Sequence, residues 1–345
     1  MPTMQLGLCT FADLGNLTYQ QRYQNLLEEA KLADELGLDV FAVGEHHRPD
    51  YAVSAPPVAL AAIAAITKNI RLSSGVTVLS SDDPVRVFEH FSTVDNISNG
   101  RAEIMAGRGS FIESFPLFGF HLNDYESLFA EKLDALVKLC REEKVTFSGR
   151  HVPSLKEVTV YPRPVQHPLP IWIAVGGTPA SVVRAANYNL PLTLAIIGGQ
   201  WTRFAAFAQL YRKALAEAGH DVARAQLCIN QHCYIAEDSQ QAANDFYPAH
   251  HGVFSRIGRE RGWHPGGREV FDLALEPEGH LLVGSPQQVI DKLCMEYDVF
   301  GNTRFLMQTS LGTLPHEKAM KSIELLATRV APAVRKYVAA KQAVT

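Results

Sequence analysis

A histidine pair behind a carboxylate, Glu45-His46-His47, and a glycine turn, Gly176-Gly177-Thr178-Pro179-Ala180-Ser181, stand out as places where residue types and spacing could do chemistry. An imidazole at the end of a strand titrates near working pH and can shuttle a proton. Metal ligation fits less well, because adjacent rings rarely reach one ion and no H-x-H or H-E-x-x-H spacing is present; a surface histidine in a loop is the plainer alternative. In the glycine turn, free backbone N–H groups at a helix start, with the Thr178 and Ser181 hydroxyls, suit an anion such as a phosphate. A simple capped helix start is the alternative there. Arg108, in Arg108-Gly109-Ser110, could add a charge-assisted contact. No G-x-G-x-x-G follows the first apolar run, and neither a P-loop nor a G-x-S-x-G elbow occurs, which disfavours a Rossmann site, a P-loop nucleotide site and an α/β-hydrolase.

The elements that must position these residues follow from periodicity. Apolar runs at Gln5–Thr10, Leu38–Gly44, Ile70–Leu79, Ala102–Gly107, Ile171–Val175, Leu192–Ile197, Leu227–Ile235 and Thr303–Gln308 alternate with amphipathic stretches. Thr18 caps the first helix, and Pro56-Pro57, Pro84 and Pro179 sit where later helices begin. Val145–Pro170 breaks the rhythm with two short β-like runs, Val145–Phe147 and Val158–Tyr161, and predicts an insertion. Ile257–Gly279, rich in Gly, Arg, Glu and Pro and without periodicity, predicts a mobile lid. Eight strands alternating with helices predict an α/β fold, a (β/α)8 barrel with insertions in one domain spanning 1–345, ahead of a doubly wound open sheet. A barrel builds its site from the loops after the strands. That rule selects Glu45, His46 and His47, then Ser80–Asp83, then Arg108-Gly109-Ser110, then Gly176-Gly177-Thr178.

Composition narrows the partners. A net charge of −4 in 345 residues and a pI near 6.4 argue against nucleic acid, which needs a concentrated basic excess, and favour a small-molecule ligand. Cys9, Cys140, Cys228, Cys233 and Cys294 are dispersed and form no C-x-x-C pair, so neither disulfides nor zinc is expected. Met1–Thr10 does not read as a leader and no apolar run approaches the roughly 18 residues of a membrane span, which predicts a cytoplasmic protein with no membrane partner.

Several of these segments together resemble the bacterial luciferase-like FMN-dependent monooxygenase family. They are Gly37 through His47, Gly75 through Leu79 with Pro84-Val85-Arg86, Ser98-Asn99-Gly100-Arg101 with Gly107-Arg108-Gly109, and Ile171 through Ile197 with Gly177-Thr178-Pro179-Ala180-Ser181. Singly each motif is weak; their order along nearly the whole chain is specific. The resemblance implies the oxygenase component of a two-component system, usually a homodimer. A separate flavin reductase supplies reduced FMN, O2 gives one oxygen atom to a small organic substrate, and the other leaves as water. It also implies a catalytic His46, a non-prolyl cis peptide at Gly75-Val76 under the flavin ring, and cofactor contacts at Glu45, Gly75, Val76, Arg108, Gly176, Gly177, Thr178 and Ser181. Two departures bear on activity. Light-emitting members have a reactive cysteine where Gly107 stands here, which speaks against light emission, and no second phosphate arginine stands near Asp124-Tyr125-Glu126, which implies modest FMN affinity. Two rivals share the barrel: a deazaflavin-dependent oxidoreductase, and a non-catalytic flavin-binding protein with less reason to keep Glu45-His46.

Overall fold

The alternation of short apolar strands and capped helices is realised as a closed parallel barrel. The computed structural model describes residues 3–344 apart from Ser110, so that residue of the loop after the fourth strand lies outside the described residues. The barrel strands are β1 (Gln5–Thr10), β2 (Val40–Val43), β3 (Arg71–Ser74), β4 (Ala102–Gly107), β5 (Ile171–Val175), β6 (Leu192–Ala195), β7 (Leu227–Ile235) and β8 (Arg304–Gln308). Closure comes from β8, which pairs with β7 through Cys228↔Arg304 and with β1 through Gln5↔Arg304. That ring of pairings excludes the open doubly wound sheet.

Strand alternation sorts the side chains. Cys9, Val40, Ala42, Met105, Trp172, Cys228 and Leu306 fill the barrel, while the opposite faces join the surrounding helices in the larger core. The N-terminal end is plugged by a buried ion pair, with Arg304 Nη1 2.7 Å from Glu103 Oε2 and the guanidinium 4.1 Å from the Trp172 ring centre. The C-terminal end is thereby left for a ligand.

The helices that frame that end are α1 (Tyr19–Glu35), α2 (Pro56–Ile66), α3 (Pro84–Ser98), α4 (Tyr125–Arg141), α5 (Pro179–Asn187), α6 (Ala205–Glu217), α7 (Ser239–Arg261) and α8 (Arg268–Leu275). Thr18 caps α1 as expected, in a reciprocal capping box with Gln21, and α3 is capped by Asp83, which accepts from the Val85 and Arg86 N–H groups. After α8 come α9 (Pro286–Phe300), α10 (His316–Leu325) and α11 (Ala331–Val344).

Three expectations are corrected. The third strand does not run unbroken to Leu79. It stops at Ser74, turns at a cis Gly75-Val76 peptide and resumes only as Thr77–Val78, which pairs with β4. The insertion is an antiparallel hairpin of Val145–Phe147 with Leu155–Val158, so the second run lies earlier than Val158–Tyr161. The Ile257–Gly279 segment is no structureless lid: α7 runs through Ile257 to Arg261, Gly262 caps it at φ +75°, and α8 follows. Its charged residues hid the helix. Arg256, Glu260 and Arg261 reach the loops of the barrel mouth, so charged side chains stand where an apolar stripe would have signalled a packed helix. Gly258 is demanded by close approach, since a Cβ there would lie 2.4 Å from the Trp263 carbonyl oxygen.

Candidate functional site

Four consecutive strand ends carry glycine: Gly44 after β2, Gly75 after β3, Gly107 ending β4 and Gly176 after β5. At two of them a side chain has no room, for a Cβ would lie 2.6 Å from Phe11 at Gly44 and 2.8 Å from Val76 at Gly107. Gly75, Gly107 and Gly176 line a cavity of about 370 Å³, with Cys9, Phe11, Val76, Met105, Ala174 and Leu306 as apolar walls. A floor without side chains under apolar walls suits a flat ring. The cis peptide at Gly75-Val76 is part of that floor.

His46 sits at one side of this cavity, buried and packed against three rings: Tyr51 at 4.3 Å, Phe11 at 4.7 Å and Phe111 at 5.3 Å between centres. Its backbone N–H donates to the Val53 carbonyl, and its Nε2 is buried with no hydrogen-bond partner among the described residues. Burial, and then the neighbouring Arg48 and His47, push its pKa down to about 3. The sequence reading of an imidazole that titrates near working pH is therefore corrected: burial keeps His46 a neutral ring and not an imidazolium acid. It can accept a proton, or take part in one hydrogen bond, at Nε2.

Glu45 also lines the cavity, but both its oxygens are engaged. Oε1 accepts from His47 at 2.9 Å and Oε2 accepts from the Val78 N–H at 2.9 Å, which ties the end of β2 to the segment beyond the cis peptide. His47 thus serves Glu45 rather than the cavity, which it does not line.

At the other side of the cavity the glycine turn meets the loop after β4. Arg108 Nη2 donates to Thr178 Oγ1 at 2.9 Å, its guanidinium lies 5.0 Å from the Tyr125 ring centre, and its Nη1 pairs with Glu126. Gly177 has φ +135°, a conformation that requires glycine, and brings the chain into α5. Arg108, Gly176 and Thr178 line the cavity; Gly177 and Ser181, also expected as cofactor contacts, do not. Ser181 Oγ is buried without a partner among the described residues.

The sequence reading missed Arg184. Three residues beyond Ser181 on the same helix, it turns toward the same corner, 3.4 Å from Glu126, and its Nη1 is buried without a partner among the described residues. The signal was there in the i, i+3 spacing, since those positions share a helix face. A second cation thus reaches Glu126 from α5, beside Arg108. Also missed were Asn230 and Thr193, which line the cavity from β7 and β6, and Arg48 in the loop after β2. The Arg48 guanidinium joins Asp50 on its own loop at 3.0 Å, Glu113 beyond β4 and Glu260 on α7. Phe111, against His46, lies between Arg48 at 4.6 Å and Arg261 at 4.9 Å. These contacts clasp two loops and a helix together over His46.

The unspent polar atoms test what the cavity would hold. A buried polar group without a partner costs about 1–3 kcal/mol, and His46 Nε2 and Thr193 Oγ1 in the cavity wall, with Ser181 Oγ and Arg184 Nη1 on α5, have none among the described residues. A ligand with a flat polar ring and an anionic tail would satisfy them, which is the shape and charge of FMN. Among the described residues no cluster of His, Cys, Asp and Glu could hold a metal ion, and no helix is long and apolar enough to cross a membrane.

A family model described as luciferase-like monooxygenase matches residues 4–303. The oxygenase component of a flavin-dependent trigonelline monooxygenase from Acinetobacter baylyi is 24% identical over 334 residues, covering 92% of this chain and 91% of that protein. Among solved structures, monooxygenase RslO1 from Streptomyces bottropensis is similar with a TM-score of 0.84 and 27% identity, covering 95% of this chain and 99% of the other. The oxygenating constituent of 3,6-diketocamphane monooxygenase from Pseudomonas putida, solved in complex with FMN, is similar in fold, with a TM-score of 0.77 at 19% identity over 96% of this chain and 98% of the other.

Proposed function

Since the chain belongs to the luciferase-like monooxygenase family, we propose that it is the oxygenase component of a two-component system, using reduced FMN from a separate reductase and O2 to place one oxygen atom on a small organic substrate. The observation that carries this reading is one cavity with a cationic, hydroxyl-lined corner at one side and a neutral buried imidazole at the other. A relative named as an oxygenase component supports the separate reductase. Gly107, in place of a reactive cysteine, goes with oxygenation without light emission. The enzyme acts as one domain in the cytoplasm.

When bound, reduced FMN supplies the electrons with which O2 is activated. Arg108, Arg184, Thr178 and Ser181 would hold the phosphate at the start of α5, where backbone N–H groups and the helix dipole also favour an anion. The glycine floor, with Val76, accepts the ring without steric conflict. His46 Nε2 would take up a proton released at the reacting atoms and hand it back to the leaving oxygen, and an anionic ligand nearby would raise its proton affinity enough for that exchange. Glu45 holds the β2 end and the Val78 segment in register, so that the imidazole and the floor keep their spacing. The Arg48 clasp keeps water from the cavity.

Stopped-flow mixing of the protein and reduced FMN with O2 tests this. The oxidised-flavin absorbance should return about tenfold or more slowly than for free flavin, because the closed cavity shelters the reaction. Arg48→Ala should bring the rate back toward that of free flavin and raise the H2O2 released. Return at the free-flavin rate in the native protein would contradict the oxygenase reading.

The homodimer has its own support. On α2, Val58, Ala62, Ala65 and Ile66 form an outward stripe with no charge in it, Val58 being 71% exposed, and Ile97 on α3 continues the apolar surface. Light scattering should find a dimer for the native protein and a monomer for Val58→Arg; an unchanged dimer would place the interface elsewhere.

A further inference from the structure

Resting on the FMN reading, we propose that the Glu126 carboxylate is the resident occupant of the phosphate seat and that a flavin phosphate binds by displacing it. Glu126 stands at the second position of α4 and bridges the two cations of the corner, Oε1 pairing with Arg108 Nη1 and Oε2 lying 3.4 Å from Arg184 Nη2. The partners differ in freedom. The side chains of Arg108 and Arg184 are only 17% and 20% exposed, whereas that of Glu126 is 60% exposed. Both arginines are braced by aromatic faces, Arg108 by Tyr125 at 5.0 Å and Arg184 by Phe129 at 5.4 Å. The cations are therefore fixed in place, and the carboxylate is the part that can swing into solvent.

Charge and valence both leave the seat incomplete with Glu126 in it. One negative charge faces two positive ones, and two donors on α5, Arg184 Nη1 and, one turn before it, Ser181 Oγ, have no partner among the described residues. A phosphomonoester near pH 7 carries close to two charges and three acceptor oxygens. It can satisfy both guanidinium groups and still reach the Ser181 and Thr178 hydroxyls, which two carboxylate oxygens already engaged by the arginines cannot do. Glu126 offsets the repulsion between the two guanidinium charges, and its release subtracts from the binding energy of the phosphate. The result is a ready-formed seat of restrained affinity, as suits a cofactor that enters and leaves in every cycle.

Equilibrium dialysis of FMN and of riboflavin against the native protein, Glu126→Gln and Glu126→Ala tests the proposal. Both variants should bind FMN about tenfold more tightly than the native protein, with riboflavin affinity unchanged, and inorganic phosphate should displace FMN from the native protein. Unchanged or weaker FMN binding in both variants, with native circular dichroism, would make Glu126 a brace for Arg108 and overturn the proposal while leaving the FMN reading intact. Native protein that binds FMN no better than riboflavin would remove the phosphate seat and the proposal with it.

Discussion

Arg108→Gln should weaken FMN binding by roughly ten- to a hundredfold, the worth of a charge-assisted contact to a phosphate, and leave riboflavin binding unchanged. The guanidinium lies over the Tyr125 ring and is hydrogen-bonded to Thr178, so its position does not have to be established when the ligand arrives. Glutamine keeps much of the length and some hydrogen bonding but removes the charge. Fluorescence titration with FMN and riboflavin reads the two affinities, and an equal loss for both ligands would mean that Arg108 shapes the cavity instead of meeting the phosphate.

The second large effect belongs to His46. His46→Ala should lower product formation by about a hundredfold or more, the usual weight of a positioned acid–base group, while FMN affinity stays close to native and reduced flavin is spent as H2O2. The pH dependence follows from the neutral state of the buried ring. With its pKa pushed down to about 3 by burial and the adjacent Arg48 and His47, His46 is neutral in the free enzyme throughout the working range. It should therefore contribute no limb near pH 6.5 to kcat/KM. The same depression has a stability consequence. An unfolded histidine protonates near pH 6.5, so between there and about pH 3 the unfolded chain holds a proton that folded His46 does not. Stability from this group is present above pH 6.5 and is lost as pH falls through that window. Thermal unfolding of His46→Ala should show a shallower loss on acidification; an equally steep loss would leave the neutral state of His46 unsupported.

The barrel was legible because its strands are short apolar runs separated by helices with ordinary caps, such as Thr18 and Asp83, which act locally and need no tertiary context. Glu45, His46, Arg108 and Thr178 were legible because barrel geometry points to the residue after each strand. What escaped was tertiary. Arg184 lies within a helix, and only the packing of α5 beside α4 brings it to Arg108. The helix through Ile257 to Arg261 lacked an apolar stripe because the surface it covers is itself charged, with Asp50 and Arg48 as partners. The neutrality of His46 could not be read either, since it arises from Phe11, Tyr51 and Phe111 converging from three segments. Glu126 escaped for a related reason: in sequence it is one acidic residue in a first helical turn, and only the fold sets it between two arginines.

A crystal structure of the protein soaked with FMN tests the central claim most directly. The account predicts the phosphate between Arg108 and Arg184 within hydrogen-bond reach of Thr178, the ring lying on Gly75 and Val76, and His46 Nε2 at the ring. A flavin phosphate bound away from the Gly176–Ser181 turn, or an imidazole out of reach of the ring, would contradict it.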